Sequence, residues 1–288
     1  MQVQKYILKE PECFNLKDIF TCGQCFRWNA KDDGSYTGVI KNGVINVKKI
    51  NNDVIFEGIC NGNIADICRD YFDLNRDYNK IKTILSNVDE YLKESIEYGA
   101  GIRILNQDLW EMIISFIISA NNNIPRIKGI IEKMSQKYGN KIVWKGKDYY
   151  IFPTIKQLSS ASKDDLRALG MGFRDTYIFN TTNTIASGDI NLEELHNEKD
   201  TSKVREKLLT LSGVGPKVAD CILLFSTLKR FDVFPIDVWV RRVMNDLYIK
   251  NEDETKVSKK EIEKLAKEKY GDLEGIAQQY LFYWRREQ

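Results

Sequence analysis

One run of the chain restricts its fold more than any other: Leu208-Leu209-Thr210-Leu211-Ser212-Gly213-Val214-Gly215-Pro216-Lys217-Val218-Ala219-Asp220-Cys221. An apolar stretch that breaks at Gly-x-Gly-Pro and resumes as another apolar stretch reads as helix, tight hairpin, helix. Gly213 and Gly215 allow positive φ and a close backbone approach to a ligand. Pro216 suits the first turn of a helix, where its missing N–H costs nothing. The open N–H groups and positive end of that helix make an anion site, suited to a nucleic-acid phosphate. Taken alone, the turn is explained equally well as a tight connection between packed helices.

Two further residues add chemistry. Lys217 opens the second helix, and Cys221, four residues on, shares its face. The rest of that run, Val218, Ala219, Ile222, Leu223 and Leu224, is apolar. A lysine at the rim of an apolar helix can lose proton affinity by desolvation and become a nucleophilic amine. Asp220 supports the opposite reading, an ion pair that mutes it. Twenty residues after the lysine, Pro235-Ile236-Asp237 opens a new apolar run. Asp237 is a good N-cap there, and a cap would hold its carboxylate rigid, so capping and catalysis are compatible. Amine, carboxylate and phosphate-gripping hairpin together point to chemistry on a nucleic-acid strand.

Bulk properties narrow the setting. The 288 residues suffice for one large or two ordinary domains. Lys+Arg total 43 against Asp+Glu 41, a net charge of +2. A DNA-binding face must therefore be a local patch balanced by acidic surface elsewhere. Lys5, Lys9 and Glu10 interrupt any signal-peptide core. The longest apolar stretch, Leu109 to Ile118, contains Glu111 and Ser115 and is too short to span a bilayer. A cytosolic monomer without membrane contact is expected, nucleoid-associated if prokaryotic. Of the six cysteines, only Cys22 and Cys25 form a tight pair. Half a zinc site and a redox pair are its functional readings. No second pair complements it, and His196 is the only histidine. No metal or other cofactor is expected, and no histidine-based triad.

The pattern divides the chain into a sheet with helices over 1–105 and a mainly helical domain over 106–288. Tyr36–Ile40 and Val44–Val47 flank Asn42-Gly43, a strong hairpin signal, and Val54–Phe56 makes a third strand. Phe26-Arg27-Trp28 reads as a strand continuing from the cysteine pair. Ile64, Ile67, Cys68, Tyr71 and Phe72 recur at helical spacing. A helix is predicted over 78–98, ending at Gly99. Beyond Gly101 the chain reads as almost entirely helical. Asp108 caps a buried helix there, another runs from Ile124 to about Tyr138, and Ser162 with Asp165 caps a short one. Gly170-Met171-Gly172-Phe173-Arg174 is a second glycine-bearing turn, and Thr201/Ser202 cap the helix entering the main hairpin.

With these residues in place, the chain resembles the helix-hairpin-helix glycosylases that carry a Gly/Pro-rich loop and a later aspartate. More narrowly, it resembles the 8-oxoguanine DNA glycosylase/AP lyase family. The likeness includes Gly23-Gln24-Cys25-Phe26-Arg27-Trp28, Ser119-Ala120-Asn121-Asn122-Asn123-Ile124-Pro125-Arg126, Gly170-Met171-Gly172-Phe173-Arg174 and Ala277-Gln278-Gln279-Tyr280-Leu281-Phe282. These segments follow the family's order and span most of the chain. The implied fold is α+β: an N-terminal antiparallel twisted sheet with helices, then a mainly helical helix-hairpin-helix glycosylase domain.

The resemblance also implies roles. A damaged nucleotide is flipped out of duplex DNA into a pocket. Lys217 attacks the anomeric carbon to give a Schiff base, which permits β-elimination, and Asp237 stabilises positive charge on the sugar. The Gly23 carbonyl accepts the N7 hydrogen that 8-oxoguanine has and guanine lacks. Cys221 and Phe282 sandwich the base, and Gln278 meets its pairing edge. Asn121 fills the vacated space, Phe173 wedges beside it, and Arg126 and Arg174 read an opposite cytosine. Gly213, Gly215 and Val218 grip phosphate. Trp239 and Arg285 stand where animal and fungal members carry a histidine and its acidic partner, which leaves the lesion-side phosphate contacts open. The absence of a Cys-rich tail before Gln288 argues against the iron–sulfur endonuclease branch. Two alternatives remain in view: a monofunctional alkylated-base glycosylase of the same fold, which uses water and the aspartate, and a non-catalytic helix-hairpin-helix DNA-binding module.

Overall fold

Period-2 alternation near the N-terminus builds one antiparallel sheet of five strands. The structure, a computed structural model, describes residues 2–41 and 43–286. Its strands are β1 (Val3–Leu8), β2 (Trp28–Ala30), β3 (Tyr36–Ile40), β4 (Gly43–Ile50) and β5 (Asp53–Cys60), in the spatial order β1-β5-β4-β3-β2. β3 and β4 pair as a tight hairpin, with Ile40 opposite Gly43 and Val39 opposite Val44. Asn42 of the expected turn lies outside the described residues. One face of the sheet packs an aromatic cluster of Phe14, Phe20, Trp28, Phe56 and Phe72, with Phe20 and Trp28 stacked at 4.3 Å.

Several local expectations are corrected. Phe26 and Arg27 are not strand residues; β2 starts at Trp28. Arg27 instead donates to the Tyr150 carbonyl at 2.5 Å, and Phe26 packs edge-on against Phe116 at 5.6 Å. The helix predicted over 78–98 is two helices, Tyr78–Ser86 and Glu90–Tyr98. Asp89 restarts the chain by capping the Leu92 N–H at 2.9 Å. Asp200, not Thr201 or Ser202, caps the helix Thr201–Leu209. The region beyond Gly101 also contains a β-hairpin, Lys141–Trp144 with Lys147–Tyr150. Its turn residues, Lys145 and Gly146, both have positive φ, as a type I′ turn requires. Ile142 and Trp144 of this hairpin cover Val39, Val44 and Ile59 on the other face of the sheet.

The remaining helices share one large core with the segment that leaves the sheet, including Ile102 and Ile104. The buried helix Leu109–Ser119 packs against the helix Pro216–Phe225, and the helix Glu274–Arg286 packs against Glu90–Tyr98. Gln279 of the helix Glu274–Arg286 donates to the Cys22 carbonyl, which fastens the turn at Cys22 and Gly23 beside that helix.

Candidate active site

The hairpin forms as the sequence dictates, with one correction. Gly213 has φ +83, and a Cβ there would lie 2.8 Å from the Tyr177 ring carbon. Gly215 does not adopt positive φ: its φ is −92 and ψ 178, ordinary extended backbone with no atom within 4 Å of an added Cβ. The two glycines thus do different work, one for backbone conformation and one for open space. Gly213→Ala should cost about 2–4 kcal/mol through left-handed strain and the Tyr177 clash. Gly215→Ala should stay within about 0.5 kcal/mol. Urea unfolding of both variants checks the contrast, and equal midpoints would refute it.

Pro216 starts the following helix, and among the described residues no side chain caps it. The first N–H to pair in that turn is Ala219's, to Gly215 O at 2.9 Å. The N–H groups of Lys217 and Val218 are left open at the positive helix end, although the Val218 side chain is buried.

Lys217, Asp237, Gly23, Cys221, Gln278 and Phe282 converge on one cavity. It holds about 50 Å³, space for roughly one or two waters and far below an ordinary ligand pocket. Its walls must part to admit a purine. Lys217 Nζ lies 5.6 Å from the centre of the Phe116 ring. Asp237 caps the helix Val238–Met244, its Oδ1 accepting the Val240 N–H at 2.8 Å.

The expectation that the apolar rim lowers the lysine's proton affinity is corrected. The Cys221 sulfur beside it, and then the Asp237 carboxylate, hold the Lys217 ammonium above the ordinary lysine range against the opposing pull of burial. Burial in turn pushes the Cys221 thiol up, with Lys217 drawing it back. The muting partner is absent too. Asp220 turns away and binds Arg205, at 2.6 Å to Nε and 3.3 Å to Nη2.

The positions expected to contact the base are held by residues to which sequence reasoning assigned no role. Gly23 has φ +90, and a Cβ there would touch Phe282 at 3.4 Å. The turn around it is clamped by glutamines. Gln279 donates to the Cys22 carbonyl, and Gln107 donates to Gln24 O at 2.7 Å. Buried Gln24 donates to Ile19 O and Arg103 O at 2.9 and 2.8 Å and accepts from Leu105 N at 2.8 Å. Local sequence carries no signal for these clamps: Gln107, for one, stands between Asn106 and Asp108. Gln278 is also buried, yet its Oε1 has no hydrogen-bond partner. The Arg286 guanidinium lies 5.4 Å from the Phe282 ring centre.

A second constellation is built by one arginine. Arg174 is 2 % exposed. It donates through Nε and Nη2 to Ala120 O at 2.9 and 2.6 Å, through Nη2 to Asn121 O at 2.7 Å and through Nη1 to Met171 O at 3.2 Å. Four of its five N–H donors are spent on backbone, and one Nη1 hydrogen remains. These bonds hold exposed Asn121 at φ +50. Phe173, 55 % exposed, lies over the same guanidinium at 4.4 Å. Arg126 is exposed and tied to Gly170 O at 3.1 Å. Trp239 is 38 % exposed beside Asp237, and Arg285 leans on Asp246 at 3.4 Å.

Cys22 and Cys25 are buried free thiols, Cys22 pushed up to about 12 by burial. Among the described residues no group of three His, Cys, Asp or Glu side chains could hold a metal ion. No helix among them is long and apolar enough to cross a membrane.

Residues 6–113 match the family model described as 8-oxoguanine DNA glycosylase, N-terminal domain, and residues 114–270 match the HhH-GPD superfamily base excision DNA repair protein model. The chain is 31% identical over 231 residues to the probable N-glycosylase/DNA lyase of Methanothermobacter thermautotrophicus, covering 73% of this chain and 71% of that protein. It is 30% identical over 274 residues to the N-glycosylase/DNA lyase OGG1 of Arabidopsis thaliana, covering 91% and 75%. The crystal structure of Clostridium acetobutylicum 8-oxoguanine glycosylase/lyase, in complex with dsDNA containing cytosine opposite 8-oxoG, superposes with a TM-score of 0.92 at 44% identity over 100% of this chain and 98% of that one. On the two matched models, these relatives and its own architecture, the chain belongs to the 8-oxoguanine DNA glycosylase/AP lyase family of the HhH-GPD superfamily.

Proposed function

We propose that this protein flips 8-oxoguanine out of duplex DNA, excises it through Lys217 and cleaves the strand by β-elimination. The observation that carries the reading is the meeting of Lys217 and Asp237 in one cavity with an unpartnered, buried Gln278 oxygen. Such an oxygen is costly to leave unsatisfied, and the donors on a purine's pairing edge would satisfy it.

In the reaction, the Lys217 Nζ–C1′ bond forms as the C1′–N9 bond breaks, and the electron pair leaves with the base. The lysine's proton is available to the departing base. Asp237, fixed by its cap bond, faces the cationic sugar that develops in between. Ring opening gives the imine, and loss of a C2′ proton expels the 3′ phosphate. The Gly23 carbonyl selects the N7–H of the lesion, while Cys221 and Phe282 take its two faces. Gly213, Gly215 and the Val218 N–H receive phosphate at the hairpin. Trp239 and Arg285 line the lesion-side phosphates. The domain over 1–105 supplies Gly23 and the domain over 106–288 the remaining groups. The protein acts as a cytoplasmic monomer on damaged double-stranded DNA and needs no cofactor for the chemistry.

Borohydride reduction with a duplex carrying 8-oxoguanine opposite cytosine tests the reading. A covalent protein–DNA band formed with that duplex, and not with undamaged DNA, is the expected result. Base release without a band would favour the monofunctional alternative. Absence of both would leave a binding module.

On the opposite strand, Asn121 fills the hole and Phe173 wedges beside it. Arg126 is the principal reader of cytosine, because Arg174 has one free N–H left after bracing the Asn121 turn. Arg126→Ala should therefore shrink discrimination between cytosine and other opposite bases by about 1–3 kcal/mol. Single-turnover excision rates across the four opposite bases would show this; an undiminished cytosine preference would remove Arg126 from the role.

A further inference from the structure

A cavity of about 470 Å³ lies behind the hairpin, walled by the helices Thr201–Leu209, Pro216–Phe225, Lys259–Tyr270 and the start of Glu274–Arg286. It is more than nine times the volume of the cavity around Lys217. Its charged lining is uneven: Asp200, Asp220, Asp232, Glu263 and Glu274 face Arg205 and Lys267. Both cations are already engaged. Arg205 holds Asp220 at 2.6 Å, and Lys267 holds Asp272 at 2.8 Å. Among the described residues Asp232 accepts only the Thr201 hydroxyl, at 3.1 Å.

Glu274 is the informative member. It is 6 % exposed, lines the cavity, and its carboxylate takes no hydrogen bond and no ion pair among the described residues. The Glu274 carboxylate faces this open space with no donor from the described residues on it, so an incoming cation displaces no existing partner. Burial, helped by Asp232, Asp220 and Asp272 and opposed by Lys267, pushes it up to about 7. The wall beside these acids is apolar, formed by Val233 and Phe234. Among the described residues no three carboxylates converge closely enough to chelate an ion. The space suits a larger cation with an alkyl stem.

We propose that this cavity binds an organic primary ammonium, its charged head against Glu274 and Asp232 and its alkyl stem against Val233 and Phe234. The ammonium can come from a free polyamine or from a lysine side chain of another protein. The inference does not rest on the base-excision reading, since none of these residues lines the Lys217 cavity.

Thermal unfolding of the DNA-free protein with spermidine, with a lysine-bearing peptide and with magnesium chloride at matched ionic strength tests it. A ligand that binds only the folded state raises Tm. Saturating spermidine should raise the native Tm by about 2–4 °C or more, and Glu274→Gln and Asp232→Asn should each lose most of the rise. Both variants should keep native excision activity, which shows that they fold. A rise with the peptide alone would retain the site and name a protein side chain as its source. Equal shifts in native protein and variants, an equal shift with magnesium, or no shift with either amine would overturn the proposal.

Discussion

Lys217→Gln should abolish the borohydride-trapped complex and lower strand cleavage by about four orders of magnitude or more, because a carboxamide nitrogen cannot form the imine. The substitution should leave stability nearly intact. Lys217 makes no ion pair with Asp220, whose partner is Arg205, and its removal leaves no buried carboxylate unpaired within the helix. The native protein should also show a pH signature. Cys221 and Asp237 hold the ammonium above the ordinary lysine value of 10.5, so the neutral amine fraction rises about tenfold per pH unit through the neutral and mildly alkaline range. If amine deprotonation limits trapping, its rate should climb with pH without levelling off below that value. A trapped band of native intensity from Lys217→Gln would transfer the chemistry to another group.

Asp237→Asn should slow base release by about 10²–10³-fold while leaving folding unchanged. Asparagine caps a helix as well as aspartate does, so the bond to the Val240 N–H survives. What disappears is the negative charge facing the sugar, and removal of one preorganised electrostatic partner has about that effect. Lesion binding should persist in this variant. Single-turnover glycosylase rates with a parallel urea melt separate the two effects. A large drop in stability would mean that Asp237 is chiefly structural, and an unchanged rate would deny it any part in charge stabilisation.

These expectations concern residues that local sequence already marked. Gly-x-Gly-Pro followed by a lysine announces a hairpin and a helix N-terminus because proline and glycine act on their own dihedrals. Asp108, Asp237 and Ser162 announce caps because a cap bond spans three residues. The β3–β4 hairpin was legible for the same reason. Errors gathered where the deciding contact is distant or where a nearby competitor exists. Asp89 breaks the expected 78–98 helix by capping a new start, and Asp200 takes the cap expected of its neighbours. The hairpin over 141–150 was missed among helices, yet it pairs residues only a few positions apart; its buried face is explained by the sheet it covers.

Sequence was sufficient for the positions of Lys217, Asp237 and the hairpin, since short-range dihedral and capping preferences place them. Their meeting with Gly23 and Gln278 is a tertiary result. It depends on Gln24, Gln107 and Gln279, whose hydrogen bonds fasten the Cys22-Gly23 turn to segments up to 257 positions away. Gly215 was expected to share the conformation of Gly213, but neighbouring Tyr177 and open space treat the two differently. Arg174, expected from the resemblance to read an opposite cytosine, spends most of its donors on bracing the Asn121 turn, a contact between segments some fifty positions apart. The charge state of Lys217 depends on how far Cys221 and Asp237 offset burial, a balance set by three-dimensional packing that one-dimensional spacing does not contain.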